Sequence, residues 1–197
     1  RQDMMKWTKT EALAYFGFDA AKPVILFTGG SSGARSINKA VLANLDELLG
    51  RYQVIHLSGH LDWEVVREAT QNRPQTYQAF PYLHEMGAAY AAADLVISRA
   101  GASVLGEYPF FGLPAILVPY PYAWRYQKVN ADYLVEREAA VLLEDQYLQN
   151  QLLSQIDALV QDEARLQHMR RAMKALSQPQ AAEKIASLLY ELAEAVV

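Results

Sequence analysis

Two short loops rich in small residues give the clearest indication of chemistry in this sequence. The first, residues 29–33, reads Gly-Gly-Ser-Ser-Gly and lies between an apolar run and a pattern typical of a helix. Glycine lets the backbone approach a ligand closely, and a helix start presents free N–H groups to an anion. An ordinary turn would explain the glycines alone, but the hydroxyl groups of Ser31 and Ser32 favour a phosphate ligand.

This loop departs from the two best-known phosphate-binding motifs. It lacks the lysine of a P-loop, and its GGxxG spacing differs from the GxGxxG fingerprint of dinucleotide-binding folds. The second predicted strand ends at residues 56–60, His-Leu-Ser-Gly-His, and offers no carboxylate that could hold a ribose. The sequence therefore predicts neither a P-loop nor a dinucleotide site.

The second loop begins at residue 98 and again joins an apolar run to a helical pattern. Glu107 falls about one and a half turns into that predicted helix, among apolar neighbours. A carboxylate there can accept two hydrogen bonds from a vicinal diol such as a ribose, although a helix glutamate is more often simply solvated. Two such loops with one carboxylate beside them indicate a site for a nucleoside diphosphate.

A third segment, residues 119–130, combines prolines and aromatic residues with two amide side chains. Gln127 and Asn130 lie three residues apart, so they share a face of the predicted helix. Amides beside aromatic rings can recognise a sugar through hydrogen bonds to its hydroxyls and a flat apolar contact. An exposed loop packed by its own aromatic residues is an equally good interpretation.

Familiar catalytic and metal-binding sets are absent from the sequence. It has no cysteine, no HExxH, no GxSxG and no Asp-x-Asp pair, and its four histidines lie far apart. His56 falls within a predicted strand, so we interpret it as a core residue and not as a base. We predict neither a metal nor a cofactor.

These segments have to be positioned by alternating strands and helices. Apolar runs predict strands at residues 23–28, 53–57, 76–80, 94–98, 114–119 and 140–143. Helical patterns lie between them, including a single helix from the first glycine loop to residue 49. This order is typical of an α/β fold, a Rossmann-like, doubly wound parallel sheet of about six strands. Such sheets bind ligands outside the carboxyl ends of the strands.

We expect residues 1–197 to form one domain. Residues 1–20 would be a connector with a short helix capped by Thr8 or Thr10, residues 21–145 the α/β core, and residues 146–197 the C-terminal helices. The last helix carries an apolar stripe, residues 185, 188, 189 and 192, that needs cover. The chain opens with Arg1 and not with methionine, which we interpret as the start of a piece of a longer protein.

Charge and hydropathy exclude other classes of protein. The net charge of −4 disfavours nucleic acid as a partner, because that binding rests on basic surface. No apolar run approaches the roughly 20 residues of a membrane span. The absence of cysteine and of a leader sequence favours a cytoplasmic location.

Four segments occur together in a characteristic order and spacing. They are residues 29–35 (GGSSGAR), 82–86 (YLHEM), 98–107 (SRAGASVLGE) and 112–119 (GLPAILVP). In this combination the chain resembles the C-terminal half of MurG-type enzymes over essentially its whole length. Those enzymes are GT-B glycosyltransferases that move N-acetylglucosamine from UDP-GlcNAc onto the lipid-linked muramyl-pentapeptide of peptidoglycan synthesis.

The resemblance implies that this chain is one half of a GT-B fold and holds the UDP-sugar donor. The implied donor contacts are Arg1, Gly30, Ser31, Ser32, Gly33, Tyr82, Leu83, Ala102, Ser103, Glu107, Gln127 and Asn130. Glu107 would hold the ribose, the Leu83 backbone the uracil edge, and Gln127 the hydroxyls of the sugar. This chain has Tyr126 where many members of the family have glutamine or histidine. The catalytic base would belong to an N-terminal domain outside this chain.

We therefore predict the donor half of an inverting glycosyltransferase, inactive alone. Its partners would be UDP-GlcNAc or UDP, an N-terminal acceptor-binding domain and, through that domain, the lipid-linked acceptor. The whole protein would be peripheral on the cytoplasmic face of the cell membrane. One alternative is a single-domain nucleotide-sugar-binding subunit with a separate acceptor-binding partner. Another is a regulatory nucleotide-binding module, against which sugar contacts at Gln127 and Asn130 would argue.

Overall fold

The computed structural model describes residues 4, 6–30 and 32–194, apart from the side chains of residues 123–125. Within these residues the chain forms a six-stranded parallel sheet in the order β3-β2-β1-β4-β5-β6. The strands are Val24–Thr28 (β1), Gln53–Leu57 (β2), Tyr77–Phe80 (β3), Leu95–Ser98 (β4), Ala115–Leu117 (β5) and Ala140–Leu142 (β6). The predicted α/β class and the parallel sheet are confirmed.

The chain reverses its direction of travel across the sheet between β3 and β4. From β1 it winds outward through β2 to β3, and it then returns to place β4 on the other side of β1. Strands β5 and β6 continue outward from β4. The loops that follow β1 and β4 therefore diverge in the middle of the sheet, where doubly wound folds open a crevice for ligands.

Helices cover the sheet and extend beyond it. They are Lys9–Phe16 (α1), Arg35–Ala43 (α2), Leu45–Arg51 (α3), Trp63–Ala69 (α4), Met86–Ala92 (α5), Val104–Phe111 (α6), Trp124–Val135 (α7), Leu148–Val160 (α8), Glu163–Ala175 (α9) and Ala181–Glu194 (α10). The expected single helix after the glycine loop is wrong, because Asn44 separates α2 from α3. The Nδ2 of Asn44 donates to the Ala40 carbonyl at 2.8 Å, and such side-chain bonds compete with helix continuation.

Alternate residues of each strand face two different apolar layers. Leu26 and Val96 pack with α1, α5, α6 and α7 on one face of the sheet. Ile25 and Ile97 pack with α2, α3 and α8 on the other face. Every side chain of β1, β2 and β4 is buried, which explains why these strands are mostly apolar, with Thr28, Gln53, His56 and Ser98 as buried polar exceptions.

The two ends of the described chain differ in how they pack. Helix α1 begins with a capping box, in which Thr8 and Glu11 satisfy each other's backbone N–H groups, and it ends at Gly17 with a φ of 69°. It packs on α5. Helix α10 has no buried residue, and its apolar stripe is exposed, with 57–64% of each residue open to solvent. Nothing in the part of the chain that the structure describes covers this stripe.

Candidate functional site

Two neighbouring cavities of the described residues contain most of the predicted donor contacts. The larger, which we call the central cavity, has a volume of about 700 Å³ and is lined by the glycine loop, the starts of α2 and α6, and Gln127. The smaller, the lateral cavity, has a volume of about 550 Å³ and lies between α6 and the segment that precedes α10. Ser103 lines both cavities, so the two are neighbours at the start of α6.

The glycine loop owes its shape to contact with the loop after β2. Gly30 and Gly33 have φ values of 78° and 77°, a region that side chains with a Cβ rarely occupy. A Cβ on Gly33 would lie 2.1 Å from the carbonyl oxygen of Ser58. This close approach places the start of α2, at Arg35, on the central cavity.

The fold brings most of the predicted donor contacts to these two cavities. Gly30, Ser32, Gly33, Ser103 and Gln127 line the central cavity, and Ala102, Ser103 and Glu107 line the lateral cavity. Arg1 and Ser31 lie outside the described residues. Tyr82, Leu83 and Asn130 line neither cavity.

Glu107 lies on the first part of α6, half-buried on the side of the lateral cavity. Its Oε2 accepts a hydrogen bond of 2.8 Å from the hydroxyl of Tyr90, a residue that lines the central cavity. The neighbouring Tyr108 donates its hydroxyl to Ser98 at 2.8 Å, and burial raises the pKa of Tyr108. The carboxylate is thus oriented by the Tyr90 hydroxyl on the side of the lateral cavity.

The two amides of the third segment serve different purposes. The Oε1 of Gln127 accepts a 2.8 Å hydrogen bond from the Tyr120 backbone N–H, which leaves its amide nitrogen as a donor at the central cavity. Asn130 instead donates its Nδ2 to the Ala100 carbonyl at 2.9 Å. Asn130 therefore supports the loop between β4 and α6, although it shares the helix with Gln127.

Tyr82 and Leu83 follow β3 at the outer part of the sheet. The Tyr82 side chain is half exposed, and its ring stacks on His60 with 6.4 Å between centroids and 9° between planes. The ring also meets His84 edge-on at 5.0 Å. Leu83 is buried in the core, so its side chain is not open to a ligand.

Cationic side chains of the central cavity were missed in the sequence. Arg35 and Lys39 lie on successive turns of α2, and Arg99 follows β4. The Nε of Arg35 lies 3.0 Å from Asp62, and Arg99 pairs with Asp145. The position of Arg35 and Lys39 just after the glycine loop was a usable signal, whereas nothing in the sequence indicates the pair between residues 99 and 145.

His56 is buried beneath the site, as its interpretation as a core residue requires. Its Nε2 lies 2.9 Å from Oδ1 of Asn38, and its Nδ1 lies 2.6 Å from the Tyr77 hydroxyl. Because an amide oxygen only accepts, Nε2 carries the proton and Nδ1 accepts from Tyr77. Burial lowers the pKa of His56 to about 3. The amide of Asn38 also donates to Asp62 at 2.9 Å, which connects this network to the rim of the central cavity.

The described part of the chain has neither a cluster of metal ligands nor a helix suited to cross a membrane. No group of three or more histidine, aspartate and glutamate side chains in that part could hold a metal ion. None of the helices found there combines the length and the apolar character that a membrane crossing requires.

Sequence comparison identifies relatives along most of the chain. The family model of the glycosyltransferase family 28 C-terminal domain matches residues 24–185. The UDP-N-acetylglucosamine--N-acetylmuramyl-(pentapeptide) pyrophosphoryl-undecaprenol N-acetylglucosamine transferase of Roseiflexus sp. (strain RS-1) is 38% identical over 98% of this chain and 49% of its own length. The enzyme of the same name from Acidothermus cellulolyticus is 41% identical over 95% of this chain and 52% of its own length. The chain therefore spans about half the length of the curated relatives it matches.

Structural comparison agrees with the sequence. The crystal structure of Acinetobacter baumannii MurG matches 96% of this chain and 55% of its own with a TM-score of 0.78 and 26% identity. UDP-GlcNAc 2-epimerase from Neisseria meningitidis, solved with UDP-GlcNAc bound, matches 93% of this chain with a TM-score of 0.67, but at 13% identity it shows the fold alone. The fold is that of the C-terminal half of a GT-B protein, and the chain belongs to the glycosyltransferase family 28 C-terminal domain family.

Proposed function

We propose that this chain, as one domain over residues 1–197, is the donor-binding half of an inverting glycosyltransferase that uses UDP-N-acetylglucosamine. The observation that carries the proposal is that three kinds of binding group line adjoining cavities. The glycine loop, the Glu107 carboxylate and the Gln127 amide come from separate segments and line two cavities that share Ser103. The printed names of the relatives, which are N-acetylglucosamine transferases, support the identity of the sugar.

The donor would extend across both cavities. Its ribose would place two hydroxyls on Glu107 in the lateral cavity, with the uracil edge at the Leu83 backbone and Tyr82 beside it. Its sugar would lie in the central cavity, where the amide nitrogen of Gln127 is available as a donor. The diphosphate would then lie at Ser103, where the cavities meet.

The surroundings of that meeting point suit a diphosphate leaving group. The backbone of Ala102 and Ser103 lies at the start of α6, and Gly30, Ser31, Ser32 and Gly33 precede α2. Helix starts carry partial positive charge and free N–H groups, and Arg35 adds a cation on the rim. These groups would bind the diphosphate without a metal.

In the reaction, a hydroxyl of the acceptor would attack the anomeric carbon of the sugar. A new carbon–oxygen bond forms while the bond to UDP breaks, so that negative charge develops on the diphosphate. Stabilisation of that charge by fixed N–H groups is worth more in the transition state than in the bound donor, and it therefore accelerates the reaction. The group that removes the acceptor proton would belong to the part of the protein that holds the acceptor.

The whole protein would transfer the sugar to lipid-linked muramyl-pentapeptide, as the names of its relatives suggest. An N-terminal acceptor-binding domain would be the partner of this chain, and that domain would bring the protein to the cytoplasmic face of the membrane. The 197-residue chain alone should bind the donor and catalyse little.

Calorimetric titration of this chain tests the proposal. UDP-GlcNAc and UDP should bind more tightly than UDP-GalNAc, UDP-glucose, ADP or NAD, and addition of EDTA should leave the affinity for UDP unchanged. Tightest binding of NAD would overturn the proposal. Loss of UDP binding in EDTA would show that a metal takes part and that the helix starts alone do not hold the diphosphate.

A further inference from the structure

Arg99 is a polar residue of the central cavity to which the proposed binding mode assigns no role. It follows β4 directly, and only 10% of its side chain is exposed. Its Nη1 donates to the Val118 carbonyl at 3.1 Å and to Oδ1 of Asp145 at 2.5 Å. Its Nη2 donates to the Ser36 hydroxyl at 2.7 Å, and that hydroxyl donates to the same Asp145 oxygen at 2.7 Å.

The partners of Arg99 come from three other strand ends. Ser36 lies in the first turn of α2, after β1, and Val118 follows β5. Asp145 follows β6, and the ring of Tyr120 lies 5.1 Å from the guanidinium carbon. One side chain thus connects four loops at the carboxyl edge of the sheet, across the point where β1 and β4 diverge.

Two of these contacts lead to the groups that would bind opposite ends of the sugar diphosphate. Ser36 belongs to the helix whose start follows the glycine loop. The Tyr120 backbone N–H holds Oε1 of Gln127, the predicted sugar contact. The Arg99 guanidinium therefore connects the helix that follows the glycine loop with the residue whose backbone holds Gln127.

We propose that Arg99 is a positioning residue that fixes the spacing between the glycine loop and Gln127, so that the site binds a sugar-bearing nucleoside diphosphate in preference to the free one. The proposal deepens the proposed function and rests on it. A planar guanidinium can make several hydrogen bonds in fixed directions, whereas an ammonium is a point charge on a flexible stem. Lysine at this position would keep the charge near Asp145 and lose the fixed geometry.

The test compares the affinities of this 197-residue chain for UDP-GlcNAc and for UDP, measured calorimetrically in wild type, Arg99→Lys and Ser36→Ala. In Arg99→Lys the displaced Gln127 should lose its hydrogen bond to the sugar, and a net hydrogen bond corresponds to a factor of roughly ten in affinity, so we expect UDP-GlcNAc to bind about tenfold more weakly. UDP, which does not reach Gln127, should lose no more than about threefold. Ser36→Ala leaves the Arg99–Asp145 ion pair in place. It should also weaken UDP-GlcNAc binding more than UDP binding, but to a smaller extent than Arg99→Lys.

Arg137→Lys is the matched control. Arg137 also lies over an aromatic ring, 3.8 Å from that of Tyr133, but it is exposed and lines neither cavity. It should change neither affinity. The proposal for Arg99 would be overturned if Arg99→Lys and Ser36→Ala each lost equal affinity for UDP-GlcNAc and UDP. It would also be overturned if neither variant lost affinity for either ligand. Both results would leave the proposed donor binding intact. A wild-type chain that binds neither ligand would overturn the proposed function together with this inference.

Discussion

The proposed ribose contact of Glu107 can be tested by single substitutions. Tyr90 orients the carboxylate from one side, and the lateral cavity lies on the other. If Glu107 accepts two hydrogen bonds from the ribose, Glu107→Ala should weaken UDP binding by about 2 kcal/mol, or roughly thirtyfold. Calorimetry should show a smaller loss for Glu107→Gln, which keeps one acceptor. The exposed Glu163→Ala is the control and should leave the affinity unchanged.

A deoxynucleotide distinguishes direct contact from an indirect effect of Glu107. 2′-Deoxy-UDP should bind more weakly than UDP to the wild type and about equally to Glu107→Ala, because the partner of the 2′-hydroxyl is already absent. This non-additivity is the signature of two groups in contact. Losses that simply add would show that Glu107 does not touch the ribose.

His56 predicts how stability depends on pH. Its pKa is about 3 in the fold and about 6.5 in the unfolded chain, so below pH 6.5 the unfolded chain binds the additional proton. The contribution of His56 is therefore complete above pH 6.5 and is lost progressively as the pH falls towards 3. Urea unfolding between pH 7.5 and 4.5 should show the free energy of unfolding falling by up to about 1.4 kcal/mol per pH unit.

The variant His56→Gln should be less stable at pH 7.5 and should lose most of this pH dependence. The pKa of Asp94 is lowered because its ion pairs and hydrogen bonds, with Lys9 first among them, outweigh the effect of burial. That carboxylate contributes stability above its unfolded pKa of about 3.8 and loses it at lower pH, outside the window. An unchanged slope in His56→Gln would assign the pH dependence to another group.

The glycine loop illustrates an element whose shape is set by a neighbour. Gly33→Ala would place a methyl group 2.1 Å from the Ser58 carbonyl, at a φ of 77°. We expect a loss of about 2 kcal/mol or more in the free energy of unfolding, together with weaker UDP binding, because the loop must move to relieve the contact.

Gly50→Ala is the control for this substitution. Gly50 lies in α3, where an added Cβ would point into open space, so alanine should stabilise the chain by about 0.5–1 kcal/mol. Urea unfolding of both variants gives the comparison. A Gly33→Ala variant as stable as the wild type would show that the loops after β1 and β2 do not approach as closely as described.

For the molecule as a whole, the exposed stripe on α10 predicts association. Ile185, Leu188, Leu189 and Leu192 lie on one face of this helix with more than half of each residue open to solvent. Burial of apolar surface against a second copy is favourable by about 25 cal/mol per Å². The weight-average mass from sedimentation equilibrium should therefore rise with protein concentration.

A charge placed on the stripe should abolish that rise. Leu189→Lys puts an ammonium group among the apolar residues, whereas Ser187→Lys adds the same charge to the opposite side of α10. Only Leu189→Lys should sediment as a monomer at every concentration. Equal masses for the wild type and both variants would show that the stripe does not drive association.

Much of this architecture could be predicted because it depends on neighbours in the chain. The apolar runs of β1, β2 and β4 reflect strands buried on both faces, and glycine after each of two runs marked the loops. The threonine cap of α1 was predicted as Thr8 or Thr10, and the structure assigns it to Thr8. In each case a pattern of a few residues determines the local structure, since hydrophobic periodicity and capping act within one or two turns.

Such local patterns could not predict the contacts between segments that are distant in the chain. Arg99, Ser36 and Asp145 meet because the chain places β4 beside β1, and no local periodicity encodes that order. Asn130 shares a helix with Gln127, but its amide donates a hydrogen bond to the Ala100 carbonyl. The spacing of the two residues in the sequence does not predict that contact. The types of the proposed binding groups could thus be chosen from the sequence. Their distances and partners arise from the strand order and the close approach of loops, because those bring together residues that are far apart in the chain.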